Sequence, residues 1–259
     1  MTEPVLSIAG LSKSFGGIHA VNNVSFDVSQ GELLALIGPN GAGKSTCFNM
    51  LMGQLPPDAG LVTFAGHNLI GRTPRAIWRL GVGRTFQITA TYPSMTVIEN
   101  VQMALISHHR KTFNLWTRAR DQYRNEAGAL LDLVNMADQS DRPAAVLAYG
   151  DVKRLELAIA LANAPKLLLM DEPTAGMAPS ERIALMQLTA DIVRERGISV
   201  LFTEHDMDVV FAHAHRIMVL NRGELIANGS VADVREDPKV REVYLGGGAV
   251  FAGGADGNA

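Results

Sequence analysis

The stretch Gly38-Pro39-Asn40-Gly41-Ala42-Gly43-Lys44-Ser45-Thr46 is where residue types and spacing speak most directly of chemistry. It satisfies the pattern G-x-x-x-x-G-K-[ST]. Small residues let successive backbone N–H groups point into one concavity, and a helix starting at its end adds partial positive charge. Such a cradle suits the phosphates of a nucleotide. Asn40, Gly41, Gly43 and Thr46 are expected to line it. Lys44 supplies a mobile cation for the β- and γ-phosphates, and Ser45 a hydroxyl for Mg²⁺. A second stretch, Leu167-Leu168-Leu169-Met170-Asp171-Glu172-Pro173-Thr174, carries two carboxylates at the end of an apolar run. If that run is a strand, they arrive at its C-terminal end, where α/β sheets bind ligands. Asp171 is then placed to hold Mg²⁺ through water, and Glu172 to orient or deprotonate an attacking water.

Both stretches need buried strands in front of them, and the pattern supplies these. Leu33-Leu34-Ala35-Leu36-Ile37 and Leu167-Leu168-Leu169-Met170 are short continuous apolar runs, as expected of strands buried on both faces. Further strands are expected at Val5–Ile8, Val24–Val28, Gly60–Phe64, Ser199–Thr203 and Arg216–Leu220. Helical patterns are expected at Lys44–Met52, through Thr96–Ala137, at Asp151–Asn163, and from Pro179 to Arg196 with Gly197 as the stop. Strand and helix alternate before and after a helical block, which predicts an α/β protein with a mainly parallel sheet. Cys47 falls in the first turn of the first helix. A buried, inert thiol is expected there, with a thiol activated by the helix dipole as the alternative.

Bulk properties narrow the class. The chain has 259 residues, 47% apolar and 19% charged, enough apolar material for a large core and too little charge for a disordered chain. Twenty-three basic against 26 acidic residues give a net charge of -3, which does not point to nucleic acid as a partner. A single cysteine excludes an internal disulfide framework. With no long apolar run and no basic leader at Met1–Gly10, the chain is expected to be soluble and cytoplasmic. Gly246-Gly247-Gly248 and Gly253-Gly254, separated by small residues, predict a flexible tail over 246–259.

The phosphate loop and the Asp171-Glu172 stretch together resemble the ATP-binding-cassette ATPases, and other segments in the same order sharpen the likeness. Thr85-Phe86-Gln87 resembles the glutamine loop, Leu147-Ala148-Tyr149-Gly150-Asp151 the signature motif, and Thr203-Glu204-His205-Asp206 the switch-histidine loop. The resemblance covers residues 4–245. It implies a P-loop NTPase core with a mainly parallel sheet, an N-terminal antiparallel β subdomain, and an inserted helical subdomain at about 89–163. It also implies ATP and Mg²⁺ as cofactors and a head-to-tail dimer enclosing two nucleotides. Phe15 would stack on adenine. Gln87 would reach Mg²⁺ and take part in catalysis beside Glu172, His205 and Lys44. Ala148 and Gly150 would meet the nucleotide held by the other subunit.

A narrower likeness is to the branched-chain amino acid importers. Gly83-Arg84-Thr85-Phe86-Gln87, Met95-Thr96-Val97-Ile98-Glu99-Asn100-Val101, Arg154-Leu155-Glu156 and Val243-Tyr244-Leu245-Gly246 carry it, and the basic, aromatic stretch His108–Arg120 resembles an insertion in the larger of that system's two ATPases. The implied partners are integral membrane permease subunits and a second, related ATPase or a second copy of this chain. The implied location is the cytoplasmic face of the inner membrane. A lipopolysaccharide-export ATPase, which shares much of the pattern, and a nucleotide-switch regulator without transport are the alternatives. The segment Thr89–Met95, with Tyr92 and Pro93, is expected to face a membrane subunit. Ala148 departs from the usual signature serine, Val152 stands where a glutamine is usual, and Met177-Ala178 replaces Leu-Asp or Leu-Asn after Thr174. By the resemblance, the missing serine hydroxyl would have reached the partner-bound γ-phosphate, while Gly150 and the helix N-terminus behind it remain as backbone donors for it.

Overall fold

The computed structural model describes residues 3–85, 91–109 and 122–245. Two long strands, β1 (Leu6–Phe15) and β2 (Ile18–Val28), form an antiparallel hairpin; β3 (Leu33–Ile37) and α1 (Lys44–Leu51) then flank the phosphate loop. Next come β4 (Ala59–Phe64), β5 (His67–Asn68), α2 (Pro74–Arg79) and β6 (Val82–Thr85). Helices α3 (Val97–His108), α4 (Arg124–Leu133) and α5 (Tyr149–Leu161) precede β7 (Leu167–Asp171) and α6 (Pro179–Arg196). The chain continues through β8 (Ser199–Thr203), α7 (Met207–His213), β9 (Arg216–Asn221), β10 (Glu224–Gly229), α8 (Val231–Glu236) and α9 (Pro238–Leu245).

The main sheet has the order β10-β9-β3-β8-β7-β6, parallel except for β10. A second sheet, β2-β1-β4-β5, is antiparallel throughout. The two-residue side-chain period divides the apolar runs between two cores. Leu34 and Leu36 of β3 and Leu167 and Leu169 of β7 pack with the antiparallel sheet and α1, against Phe48, Val62 and Phe64. Leu33, Ala35 and Ile37, with Leu168 and Met170, pack against the helices on the other face, with Leu155, Leu185 and Val210. This two-sided burial is why these runs lack polar alternation.

Several expectations need adjustment. The β1–β2 hairpin is far longer than its apolar segments, because polar residues such as His19 and Asn23 face solvent along a half-buried antiparallel pair. The helical stretch expected over Thr96–Ala137 is broken: α3 ends at His108 and α4 runs only from Arg124 to Leu133. Thr96 starts α3 with a capping box, its N–H donating to Glu99 Oε2 at 2.8 Å while its hydroxyl accepts from the Glu99 N–H. Helix α5 runs from Tyr149 to Leu161, two residues earlier at each end than Asp151–Asn163. Strands β6 and β10 carry little apolar periodicity and are held by their neighbours β7 and β9. Helix α6 keeps its expected limits, with Pro179 at its start and Gly197 in the left-handed region (φ +63°) at its end. Residues 246–259 lie outside the described residues.

Candidate functional site

The phosphate loop is shaped by what surrounds it. Gly43 caps α1 at φ +107°, and a Cβ there would lie 2.2 Å from the Ala20 carbonyl oxygen of β2, so no other residue fits. The Gly223 N–H, close to the same β2 backbone, donates to the Ala42 carbonyl at 2.9 Å, which braces the loop against the β9–β10 turn. No side chain caps α1 and no acid lies in its first turn. Its first N–H groups are therefore open to an anion without competition from a side chain. Ser45 is exposed at this helix start and Thr46 half-buried, while Asn40 and Gly41 form the exposed tip of the loop. Phe15 ends β1, half-exposed, at the turn of the hairpin whose second strand carries Ala20 past Gly43. Lys13 Nζ sits 5.7 Å from its ring centroid.

Lys44 is buried, and its ammonium donates to the carbonyls of Gly38 at 2.6 Å and Pro39 at 3.2 Å. Burial holds its pKa below the usual lysine range, and the charges of Glu172 and Asp171 oppose that shift. Those charges come from the end of β7. Register with β8 places Asp171 beside Thr203. The Thr203 hydroxyl donates to Asp171 Oδ1 at 2.8 Å and accepts the Glu172 N–H at 3.0 Å. Arg84 of β6 donates to Asp171 Oδ2 at 3.3 Å. Glu172 adopts φ +49°, an uncommon conformation for a residue with a side chain and one found disproportionately at functional sites. Its Oε1 shares a 2.9 Å hydrogen bond with His205 Nε2.

A buried Glu204 steadies this group. Its Oε1 accepts from both the N–H and the hydroxyl of Thr174, at 2.9 and 2.7 Å, pinning the loop that follows Glu172. The structure thus brings Lys44, Asp171, Glu172 and His205 together at the C-terminal edge of the parallel sheet. Ala148 and Gly150 lie instead at the start of α5, where Gly150 is buried against the Glu181 carboxylate of α6. Ala148 and Ala178 are N-caps without a side-chain acceptor, and Glu181 Oε2 accepts the N–H of Ala178 itself at 3.2 Å. Gln87 falls outside the described residues. Sequence reasoning assigned no role to Arg84, Thr203 or Glu204. The register that seats Thr203 against Asp171 has no local signature.

Cys47 resolves in favour of the inert thiol. It is fully buried among the side chains behind α1, and burial pushes its pKa up to about 12. Desolvation of the thiolate outweighs the helix dipole. Native protein should therefore show no alkylation of Cys47 by iodoacetamide at neutral pH, with or without Mg-ATP, and full alkylation after denaturation. Mass spectrometry of the peptide carrying Cys47 measures this, and rapid native labelling would contradict the buried assignment.

A glycine-rich loop feeding a helix, with two acids and a histidine at the next strand ends, defines a P-loop nucleotide-binding ATPase of cassette type. Residues 21–175 match the ABC transporter family, and this chain belongs to it. Residues 224–250 match a further family described as branched-chain amino acid ATP-binding cassette transporter. Among curated relatives, the high-affinity branched-chain amino acid transport ATP-binding protein LivG of Escherichia coli (strain K12) is 38% identical over 255 residues, covering 95% of this chain and 99% of that protein. BraF of Pseudomonas aeruginosa, described in the same words, is 37% identical over 253 residues, again 95% and 99%. Among solved structures, an ATP-binding cassette of an ABC transporter in its ADP conformation superposes with a TM-score of 0.85 at 31% identity, over 95% of this chain and all of that one. A dimeric cassette in a post-hydrolysis state with ADP and Pi gives 0.74 at 26%, over 87% and 98%.

Proposed function

We propose that this chain is the ATP-hydrolysing subunit that energises a membrane importer of branched-chain amino acids. The observation that carries the catalytic part is the Glu172–His205 hydrogen bond of 2.9 Å beside Lys44 and Asp171. In this reading the phosphate loop from Asn40 to Thr46 binds the nucleotide phosphates, Phe15 stacks on the base, and Glu172 accepts a proton from the attacking water. His205, bonded to Glu172, orients that carboxylate towards the γ-phosphate. Ser45 and Asp171 offer hard oxygen donors, the set that suits Mg²⁺ held jointly with nucleotide phosphates. Gln87 is assigned to the same group by its place after β6. Bound Mg²⁺ would supply charge neutralisation across the β- and γ-phosphate oxygens.

No described helix is long and apolar enough to cross a membrane, so the coupling to transport needs permease subunits. A position on the cytoplasmic face of the inner membrane follows from this role. The exposed Tyr92 and Val146 support a contact there: the Ala145 N–H donates to the Pro93 carbonyl at 3.2 Å, which brings the two segments side by side. Asn100, buried, accepts the Tyr92 N–H at 2.6 Å and holds that segment in place.

The second ATPase of the dimer is, in this reading, a different chain. Ala148 offers no hydroxyl to the nucleotide across the interface, and a lost hydrogen bond to a charged phosphate costs roughly 1.5–3 kcal/mol. A homodimer carries that loss in both sites and a heterodimer in one. Affinity purification through a tag on this chain should recover permease subunits and one distinct cassette subunit, in an assembly that passes leucine, isoleucine or valine. An active transporter with two copies of this chain and no other ATPase would overturn the heterodimer, and passage of an unrelated solute would overturn the substrate assignment.

A further inference from the structure

We propose that Tyr149 is a positioning residue for the ATPase reaction, tying the first turn of α5 to loop 172–178 so that Glu172 follows the movement of that helix. The inference rests on the ATPase reading above. The Tyr149 hydroxyl donates to the Ala175 carbonyl at 3.1 Å. Its ring lies against Gly176, where a Cβ would sit 3.4 Å from Cε1. Gly176 adopts φ +80°, so the chain turns under the ring in a conformation that side chains resist. Lys153, one turn on, places its ammonium 5.5 Å from the ring centroid and bonds Glu156 at 3.1 Å, both being buried. The ring is thus held from behind and aimed at the loop.

The loop transmits that hold to Glu172. The Ala175 N–H donates to the Glu172 carbonyl at 3.1 Å, closing a tight turn, and Thr174 is fixed to Glu204. A second tie runs parallel: Gly150 packs on the Glu181 carboxylate, which also takes the Ala178 N–H. Tyr149 is 48% exposed, so burial alone does not account for its orientation. Besides Lys153, one hydroxyl bond and one glycine contact fix it, both on the loop that starts with Glu172. Displacement of α5 therefore strains this turn or releases it, and the placement of the Glu172 carboxylate changes accordingly.

The test compares wild-type and Tyr149→Phe transporter, purified with its membrane subunits, by steady-state hydrolysis of Mg-ATP. Loss of the hydroxyl should lower kcat by about five- to tenfold, with KM for Mg-ATP changed less than about twofold and Tm unchanged. Gly176→Ala, which strains the φ +80° turn beside the ring but keeps the hydroxyl, should give the same split, and the double variant should be no worse than the poorer single one. An unchanged kcat in Tyr149→Phe, a loss that appears in KM alone, or full additivity in the double variant overturns the proposal. Absence of Mg-ATP hydrolysis in the wild-type complex would instead remove the ATPase reading on which it stands.

Discussion

Glu172→Gln should leave ATP binding intact and reduce turnover of the assembled transporter by about 10²- to 10⁴-fold, the usual contribution of a positioned general base. The amide has the shape of the carboxylate and retains an oxygen for the His205 Nε2 hydrogen bond. It cannot accept a proton from water. The backbone of residue 172, at φ +49° and bonded through its N–H to Thr203, is indifferent to the change, so the loop keeps its form. The effect should therefore fall on kcat alone. Equilibrium nucleotide binding and steady-state hydrolysis, measured on the same preparation, separate the two quantities. Normal turnover would assign the base elsewhere, and lost binding would make Glu172 a ligand of the nucleotide instead.

Lys44→Ala should abolish ATP binding in the working concentration range. The ammonium is buried and already makes two hydrogen bonds to loop carbonyls, at Gly38 and Pro39, from which it can be handed to phosphate oxygens. Two charge-assisted bonds at roughly 1.5–3 kcal/mol each amount to about two to four decades in Kd. Electrostatics add to the loss. The charges of Asp171 and Glu172 act on Lys44 in the folded chain, and without the cation they would face the phosphates unopposed. Isothermal titration with Mg-ATP measures the affinity, and a thermal melt checks that the loop still folds. Retained binding within tenfold of wild type would show that the backbone cradle suffices and that Lys44 acts later, on the reaction.

How much of this was readable in the chain follows from the range of the interactions. The phosphate loop is local. Its glycines, lysine and hydroxyls are contiguous, and the flanking strand and helix announce themselves by apolar runs, so type and order alone specify a phosphate cradle. Two-sided burial of β3 and β7, the caps of α6, and the arrival of Asp171 and Glu172 at a strand end are legible for the same reason. The resemblance of five separate segments extended this to a family. The elements that sequence reading missed or misplaced are those held by neighbours distant in the chain. Strands β6 and β10 exist because β7 and β9 offer free edges. Helix α5 starts at Tyr149, two residues before its expected start, and the Tyr149 hydroxyl bonds the Ala175 carbonyl of a different segment. Cys47 had two readings until packing closed over it and desolvation decided its pKa. Asp171, Thr203, Glu172 and His205 meet because β7 and β8 pair in one register out of several, with a helix and two turns between them. A local pattern names a strand but not its register. Register is selected by the sum of many contacts made across the sheet at once, and only the folded chain adds them.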